Sequence, residues 1–406
     1  MNNSVRLPAK HSKRCWMIKM NNILTLGKSC CGCGGCEQAC PRHCISFITD
    51  EEGFLYPSVD ANACTDCGVC LKKCPIASDV PRGKDPAVYA AKLNDRQTAF
   101  QSTSGGVFYA IAADFLARGG VVFGCAYDDD LRAVHIAAHN ERELKRLQGS
   151  KYVQSDTRGV YRRVKKALDQ SKPVLFSGTG CQAAGLRAFL GREYDNLLIA
   201  DIVCHGVPSP LLFEKYLQYK GGKMGGKITA YNFRSKAKRG WDLYYMAETA
   251  RKKQSDYGFF DPYYNAFLNC KTYRESCYQC PFANSERPGD ITLADYWGVQ
   301  KAHPEFYDSN GVSLVLVNTP KGEAAWEKLR KVTTSVPSTL EQAVVLNKNL
   351  REPSARPDCR DTIYEGIDGD IDEYFSSKLA FKTNPKTRLK KMIPTGLKDK
   401  LKKIKS

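Results

Sequence analysis

A cysteine pattern is written twice within the first 80 residues, and few folds can accommodate it. Cys30, Cys33, Cys36 and Cys40 are followed by Pro41, and Cys64, Cys67, Cys70 and Cys74 by Pro75. Both runs read C-x2-C-x2-C-x3-C-P, the spacing of bacterial dicluster ferredoxins. Two residues between successive cysteines let the backbone turn around an inorganic cube, so three thiolates grip one corner of a cluster. The fourth cysteine starts the next segment and reaches the other cluster. The pattern predicts two [4Fe–4S] clusters, one on Cys30, Cys33, Cys36 and Cys74, the other on Cys64, Cys67, Cys70 and Cys40. Cys31 and Cys44 fall off this register and read as bystanders. Structural zinc also uses paired C-x2-C units, but it needs only four thiolates per ion and calls for neither triplets nor the following proline.

The 406 residues contain 18 cysteines and no apolar run long enough to span a bilayer. The first 28 residues hold Arg6, Lys10, Lys13, Arg14, Lys19 and Lys28 without an apolar core, so they do not read as a secretory signal. The cysteines are therefore expected to be metal ligands or buried thiols rather than disulfides, and the protein to be cytoplasmic. Met17 and Met20 precede the first run, and either is a candidate natural start. The net charge of +18 is concentrated at the ends: the leader has six basic residues and no acid, and residues 378–406 have eleven against Asp399 alone. A nucleic-acid enzyme carries its basic footprint on the folded body, and here the body is nearly neutral, so no nucleic-acid partner is expected. The tail alternates Lys with Leu, Met and Ile around Pro385 and Pro394. The two prolines break any long helix, so it reads first as a solvated basic end, with an arm for peripheral contact with anionic lipid at the inner face of a membrane as the alternative.

The chain divides into a poorly ordered basic leader (1–28), a ferredoxin-type unit (29–80), an α/β body in two parts (86–170 and 171–350) and a basic tail (373–406). The expected class is thus α+β and α/β. In the body, 87–92, 121–127, 133–138, 174–176, 197–203, 227–233, 243–247 and 312–317 read as strands. Residues 105–118, 160–169 and 182–190 read as helices, with another after Pro208. The first should be capped by Ser102-Thr103-Ser104 and closed by Gly119-Gly120. This βαβ rhythm predicts a largely parallel or mixed sheet.

Four further cysteines occupy suggestive places. Cys181 follows Ser177-Gly178-Thr179-Gly180 at a strand end and helix start, where a thiol pKa is expected to be depressed. Cys204 ends the 197–203 strand, and Cys277 and Cys280 form a C-x2-C unit before Pro281. These segments can converge at the carboxyl edge of the sheet, where α/β ligand sites lie. They would hold a third cluster, with Cys270 as an alternative ligand; equally they are two buried thiols and a small zinc site, or no metal site at all. Gly178, Gly180 and Gly185 give G-x-G-x4-G with Asp201 at the next strand end, which misses the dinucleotide fingerprint at its third glycine.

Over about residues 28–345 the sequence resembles the beta subunit of coenzyme F420-reducing hydrogenase and its formate dehydrogenase relatives. The resemblance rests on Ser102-Thr103-Ser104-Gly105-Gly106-Val107-Phe108, Gly149-Ser150-Lys151-Tyr152-Val153-Gln154-Ser155 and Ser177-Gly178-Thr179-Gly180-Cys181-Gln182. It continues in Asp201-Ile202-Val203-Cys204-His205-Gly206-Val207-Pro208-Ser209, Cys277-Tyr278-Gln279-Cys280 and Asp290-Ile291-Thr292-Leu293-Ala294-Asp295-Tyr296-Trp297-Gly298. It implies FAD in a mixed α/β flavin-binding body and a third [4Fe–4S] cluster on Cys181, Cys204, Cys277 and Cys280. It further implies an oxidoreductase passing electrons between its clusters and a hydride donor or acceptor, F420 or another organic molecule. Gly180, where many relatives have proline, relaxes the turn. The basic tail departs from the archaeal hydrogenase subunits and is closer to bacterial relatives found among surface-polysaccharide genes, which makes F420 itself the less secure substrate. Ser104, Gly105 and Gly106 at a helix start are expected to offer free N–H groups to a flavin phosphate, and Lys151 and Tyr152 to contact the flavin. Asp290 and Asp295 read as turn caps, and no catalytic acid or base is assigned, because hydride transfer is the cofactor's chemistry. The expected partners are a ferredoxin-like or other redox protein and a small hydride carrier. The alternative is an electron-transfer subunit with no substrate of its own.

Overall fold

Val174-Leu175-Phe176 and Leu197-Leu198-Ile199-Ala200 have no polar face, so they suit only central strands covered on both sides. The computed structural model of the protein describes residues 21–382 and Pro385. The rest of the leader and tail, with Met17, Met20 and the lipid-surface reading, lies outside the described residues. The first strands, β1 (Ile45–Thr49) and β2 (Leu55–Val59), form a hairpin within the cysteine-rich unit. The body contributes β3 (Ala87–Leu93), β4 (Val121–Tyr127), β5 (Ala133–Ala138), β6 (Val174–Thr179) and β7 (Leu197–Ile202). There follow β8 (Ile228–Asn232), β9 (Tyr244–Thr249), β10 (Lys253–Tyr257), β11 (Ile291–Asp295), β12 (Ser313–Val317) and β13 (Thr333–Ser338).

One eight-stranded mixed sheet has the order β13-β3-β12-β11-β7-β6-β4-β5. Its centre, β11-β7-β6-β4, is parallel. Because β12 is antiparallel to both β11 and β3, β3 runs with the parallel set. The carboxyl ends of β3, β11, β7, β6 and β4 therefore share one edge. Ala110, Ile111 and Phe115 of the Val107–Ala117 helix pack on one face with Leu175, Leu198 and Val315. Val160, Tyr161 and Val164 of the Val160–Asp169 helix pack on the other with Phe176 and Ile199. A separate aromatic core, including Phe213, Tyr216, Phe233 and Tyr263, joins the Pro210–Met224 helix to the three-stranded β10-β9-β8 sheet.

Two expectations change here. The helix expected over 105–118 begins at Val107, and its N-cap is Gly106 at φ +87°, not a serine of the preceding turn; Ser102 instead ends the short Arg96–Gln101 helix. Asp290 and Asp295 flank and end a central strand, β11, rather than capping turns. Asp290 accepts from the Ile199 N–H at 2.8 Å and pairs with Arg187 at 3.0 Å, tying β11 to β7.

The ferredoxin unit packs directly on the body. Phe54 is fully buried in the aromatic core. A side chain at Gly53 would overlap Leu211. Arg360 pairs with Glu52 at 2.5 Å, so the C-terminal segment also clasps the unit.

Candidate functional site

The short Gly35–Ala39 and Val69–Lys72 helices each start at a left-handed glycine, Gly34 (φ +71°) and Gly68 (φ +70°). These turns curl each cysteine triplet back on itself, a backbone state that glycine enters without steric cost. Cys30, Cys36 and Cys74 lie within electrostatic range of one another, as do Cys33, Cys36 and Cys74. All four belong to the set expected to hold one cluster. Cys40, Cys64, Cys67 and Cys70 line a second small cavity. Cys44 lines it too, with its sulfur 3.4 Å from that of Cys40. Of the described cysteines, Cys67 is the exposed one.

Cys181, Cys204, Cys277 and Cys280 also converge. Cys181 lies on the first turn of the Gly180–Leu190 helix after β6, and Cys204 two residues beyond β7. Cys277 and Cys280 lie in a short 3-10 turn and at its end. Cys204 lies within electrostatic range of Cys181 and Cys280, and Cys277 within range of the other three. Cys270, the alternative, faces Tyr273 and the aromatic core instead. The expected depression of the Cys181 pKa is not found. Its hydrogen bond with the Cys31 thiol pushes it well up, and burial adds to this. Burial likewise pushes Cys204 up to about 12 and Cys280 up to about 11. Deprotonation of these thiols thus depends on a metal to hold the charge. Among the described residues no group of three or more His, Cys, Asp or Glu side chains is close enough for a single metal ion.

The four thiols face a cavity of about 550 Å³, which Ser104, Gly106, Lys151 and Tyr152 also line. Gly105 does not. Its N–H donates to Ser313 Oγ at 3.0 Å, and a Cβ there would meet the Ala91 carbonyl oxygen at 2.4 Å. Close packing on the ends of β3 and β12 demands that glycine, so its N–H is not free for a phosphate. The Ser104 hydroxyl donates to the Val312 carbonyl at 2.8 Å, and Lys236 Nζ holds the Ser104 carbonyl at 2.8 Å. Lys151 is not a solvated lysine. Its ammonium donates to the carbonyls of Arg146, Leu147 and Gln148, at the end of the Glu141–Leu147 helix, and burial lowers its pKa to about 8. Among the described residues it has no carboxylate partner, so a positive charge stands on the cavity wall. Tyr152 stacks on Phe267 at 4.3 Å and accepts from Arg234 at 3.2 Å.

Several residues outside the expected ligand sets hold this arrangement. Asp201 is not available to a ribose: it is buried against Arg287 at 2.8 Å and accepts from Thr292 Oγ1 at 2.5 Å. The same guanidinium donates to the Ile202 and Phe282 carbonyls, locking the Cys280 loop to the strand that leads to Cys204. Arg274 donates to the Cys30 and Leu55 carbonyls at 2.7 and 3.0 Å, joining the C-x2-C loop to the ferredoxin unit. Arg234 pairs with Asp295 at 2.5 Å, and Trp241 donates to the same carboxylate at 2.7 Å. His135 is buried, with its pKa lowered to about 4. Its Nε2 sits 3.1 Å from the Ser177 carbonyl, which can only accept, so Nε2 carries the proton and Nδ1 accepts from Ser155 Oγ. Cys31, off the motif register, lies beside both Cys33 and Cys181. An added Cβ at Gly185 would sit 3.0 Å from the Cys33 sulfur, so the Gly180–Leu190 helix lies against the first ferredoxin set.

Residues 29–78 match the family model of the 4Fe-4S dicluster domain. Residues 171–338 match that of the C terminus of the coenzyme F420 hydrogenase/dehydrogenase beta subunit. An uncharacterised ferredoxin of Methanocaldococcus jannaschii, MJ0722, is 35% identical over 53 residues, 13% of this chain and 68% of that protein. A chain of the F420-reducing [NiFe] hydrogenase complex from Methanosarcina barkeri superposes over 67% of this chain and 88% of its own, at 14% identity and a TM-score of 0.46. On these two family models, the chain is an iron–sulfur electron-transfer protein with an N-terminal dicluster domain, related through residues 171–338 to the coenzyme F420 hydrogenase/dehydrogenase beta subunit family.

Proposed function

We propose that this protein is an iron–sulfur flavoprotein oxidoreductase that exchanges electrons between [4Fe–4S] clusters and a small hydride donor or acceptor, F420 or another organic molecule, at FAD. The observation that carries the reading is the shared cavity: four converging thiols form one wall, and the Ser102–Ser104 turn, Gly106, Lys151 and Tyr152 form another. Its volume of about 550 Å³ falls in the range of small-molecule sites. Three ligand sets follow: Cys30, Cys33, Cys36 and Cys74; Cys64, Cys67, Cys70 and Cys40; and Cys181, Cys204, Cys277 and Cys280. Four thiols per set suit a cubane.

The donors on the cavity wall also suit a flavin dinucleotide. The buried ammonium of Lys151 would meet an anionic group of the cofactor, and Tyr152, held by Arg234 and Phe267, gives an aromatic wall. FAD would supply two-electron hydride chemistry beside single-electron carriers. This chain's residues position that chemistry: Asp201 and Arg287 fix the third thiol set, while Arg274, Cys31 and the Gly180–Leu190 helix hold it against the first set. Cys67, exposed at the far end, marks where a redox partner would meet the second set.

Anaerobic purification with iron, sulfide and flavin quantification tests the reading. About twelve irons and one flavin per chain are expected, and bleaching of the flavin by a hydride donor should reduce the clusters. About eight irons would remove the third set, and absence of flavin would leave an electron-transfer subunit that feeds a separate enzyme.

A further inference from the structure

The cysteine-rich unit holds one thiol more than its motif requires, and that thiol is not placed at random. Cys44 is 8% exposed and lines the same cavity as Cys40, Cys64, Cys67 and Cys70. Its sulfur is 3.4 Å from that of Cys40. Backbone bonds specify the position. The chain turns back after Cys40 through His43 at φ +51°, whose N–H donates to the Cys40 carbonyl at 3.3 Å. The Cys44 carbonyl accepts from Asp60 N–H at 2.9 Å, immediately before the hairpin pair Ile45–Val59. The Asp60 carbonyl in turn accepts from Cys64 N–H at 3.0 Å. Cys44 is thus held between two members of the second set by the register of the β1–β2 hairpin. A buried cysteine is usually a small apolar filler. Here its neighbours include thiols that would be charged when they bind metal, a poor environment for a filler.

We propose that Cys44 is a fifth thiol of the second set, placed to take the ligand position of Cys40 when that bond is lost. This rests on the reading that the second set holds a [4Fe–4S] cluster. The exchange is a ligand substitution. The Cys40 Sγ–Fe bond breaks and its sulfur takes up a proton, while the Cys44 thiol releases a proton to solvent as its Sγ–Fe bond forms. Iron and sulfide keep their oxidation states, so no oxidant or reductant is needed.

The test compares full-length wild type, Cys40→Ala, Cys44→Ala, Cys40→Ala/Cys44→Ala and Cys67→Ala, each purified without oxygen and reconstituted with iron and sulfide. Iron content and the electron-spin spectrum after dithionite are the readouts. Wild type controls the underlying reading: if it carries no ferredoxin-type clusters, that reading fails before the proposal is reached. Cys40→Ala should keep the wild-type iron content with a shifted spectrum, whereas the double variant and Cys67→Ala should each lose about four irons. The irons remaining in those variants report that the chain still folds. Loss of about four irons from Cys40→Ala alone overturns the proposal. So does a Cys40→Ala chain that cannot be reconstituted under conditions that restore Cys67→Ala to its remaining clusters.

Discussion

The two cysteine regions of this molecule are built by opposite routes. The eight ferredoxin cysteines lie between positions 30 and 74, and short turns bring each triplet together. Cys181, Cys204, Cys277 and Cys280 span positions 181 to 280 and meet only because β6 and β7 end at the same sheet edge and the C-x2-C loop is drawn to it. The first region needs local geometry. The second needs the sheet, the buried Asp201–Arg287 pair and the Arg274 staple to be in place together. A site assembled by long-range contacts bears a larger loop-closure cost and is the more sensitive to a distant change.

The most severe test of this contrast is Asp201→Asn, which leaves the Arg287 guanidinium buried without its countercharge. Removing one partner of such a pair costs about 3–5 kcal/mol. Denaturant titration should show that loss, and if the third set holds a cluster as proposed, it should release about four irons while the ferredoxin unit keeps about eight. Simultaneous release of all the iron would show that the two regions form one cooperative unit.

Arg274→Met should cost about 2–3 kcal/mol, since charge-assisted bonds to the Cys30 and Leu55 carbonyls are lost. Limited proteolysis should then cut between residues 78 and 86 faster than in wild type; unchanged cleavage would mean that the remaining contacts, among them the buried Phe54 and the Arg360–Glu52 clasp, hold the unit without Arg274. Gly185→Ala inserts a methyl group against Tyr161 Oη and the Cys33 sulfur, at 2.8 and 3.0 Å from its Cβ. The expected cost is about 1–3 kcal/mol, with iron content unchanged and an altered electron-spin signal from the first set. An unaltered signal would separate the helix from that cluster.

The smallest effect concerns Lys151. Unfolded, it holds its proton up to about 10.5; folded, burial lets it go at about 8. Between these values the unfolded chain binds more protons, so wild-type stability relative to Lys151→Met should rise with pH, on the order of 1 kcal/mol from pH 8 to 9. A flat difference would mean that the ammonium is solvated or paired.

Much of the body was legible because turn signals bound its elements. Val121–Tyr127 follows Gly119-Gly120, and Val160–Asp169 follows Gly159; both strand and helix have the expected limits. β11 was not, because Ile-Thr-Leu-Ala-Asp is short and mixed, and its strand character comes from lying between β7 and β12. The Glu141–Leu147 helix, whose end holds Lys151, is short and mostly charged, so it gave little apolar signal. The role of Gly105 was misread for a related reason. A glycine required by a close neighbour and one left bare for a ligand look identical until the neighbour is known.

Residue order by itself determined the two ferredoxin runs and the α/β rhythm, because spacing and periodicity are properties of the chain; it marked Cys181, Cys204, Cys277 and Cys280 as candidates while leaving Cys270 as an alternative. Only the tertiary structure decided that Cys31 lies beside Cys33 and Cys181, that Lys151 is buried on a cavity wall, and that Asp201 is matched by Arg287. Those facts are contacts between residues far apart in sequence, and burial and charge pairing exist only once the sheet has brought them within reach.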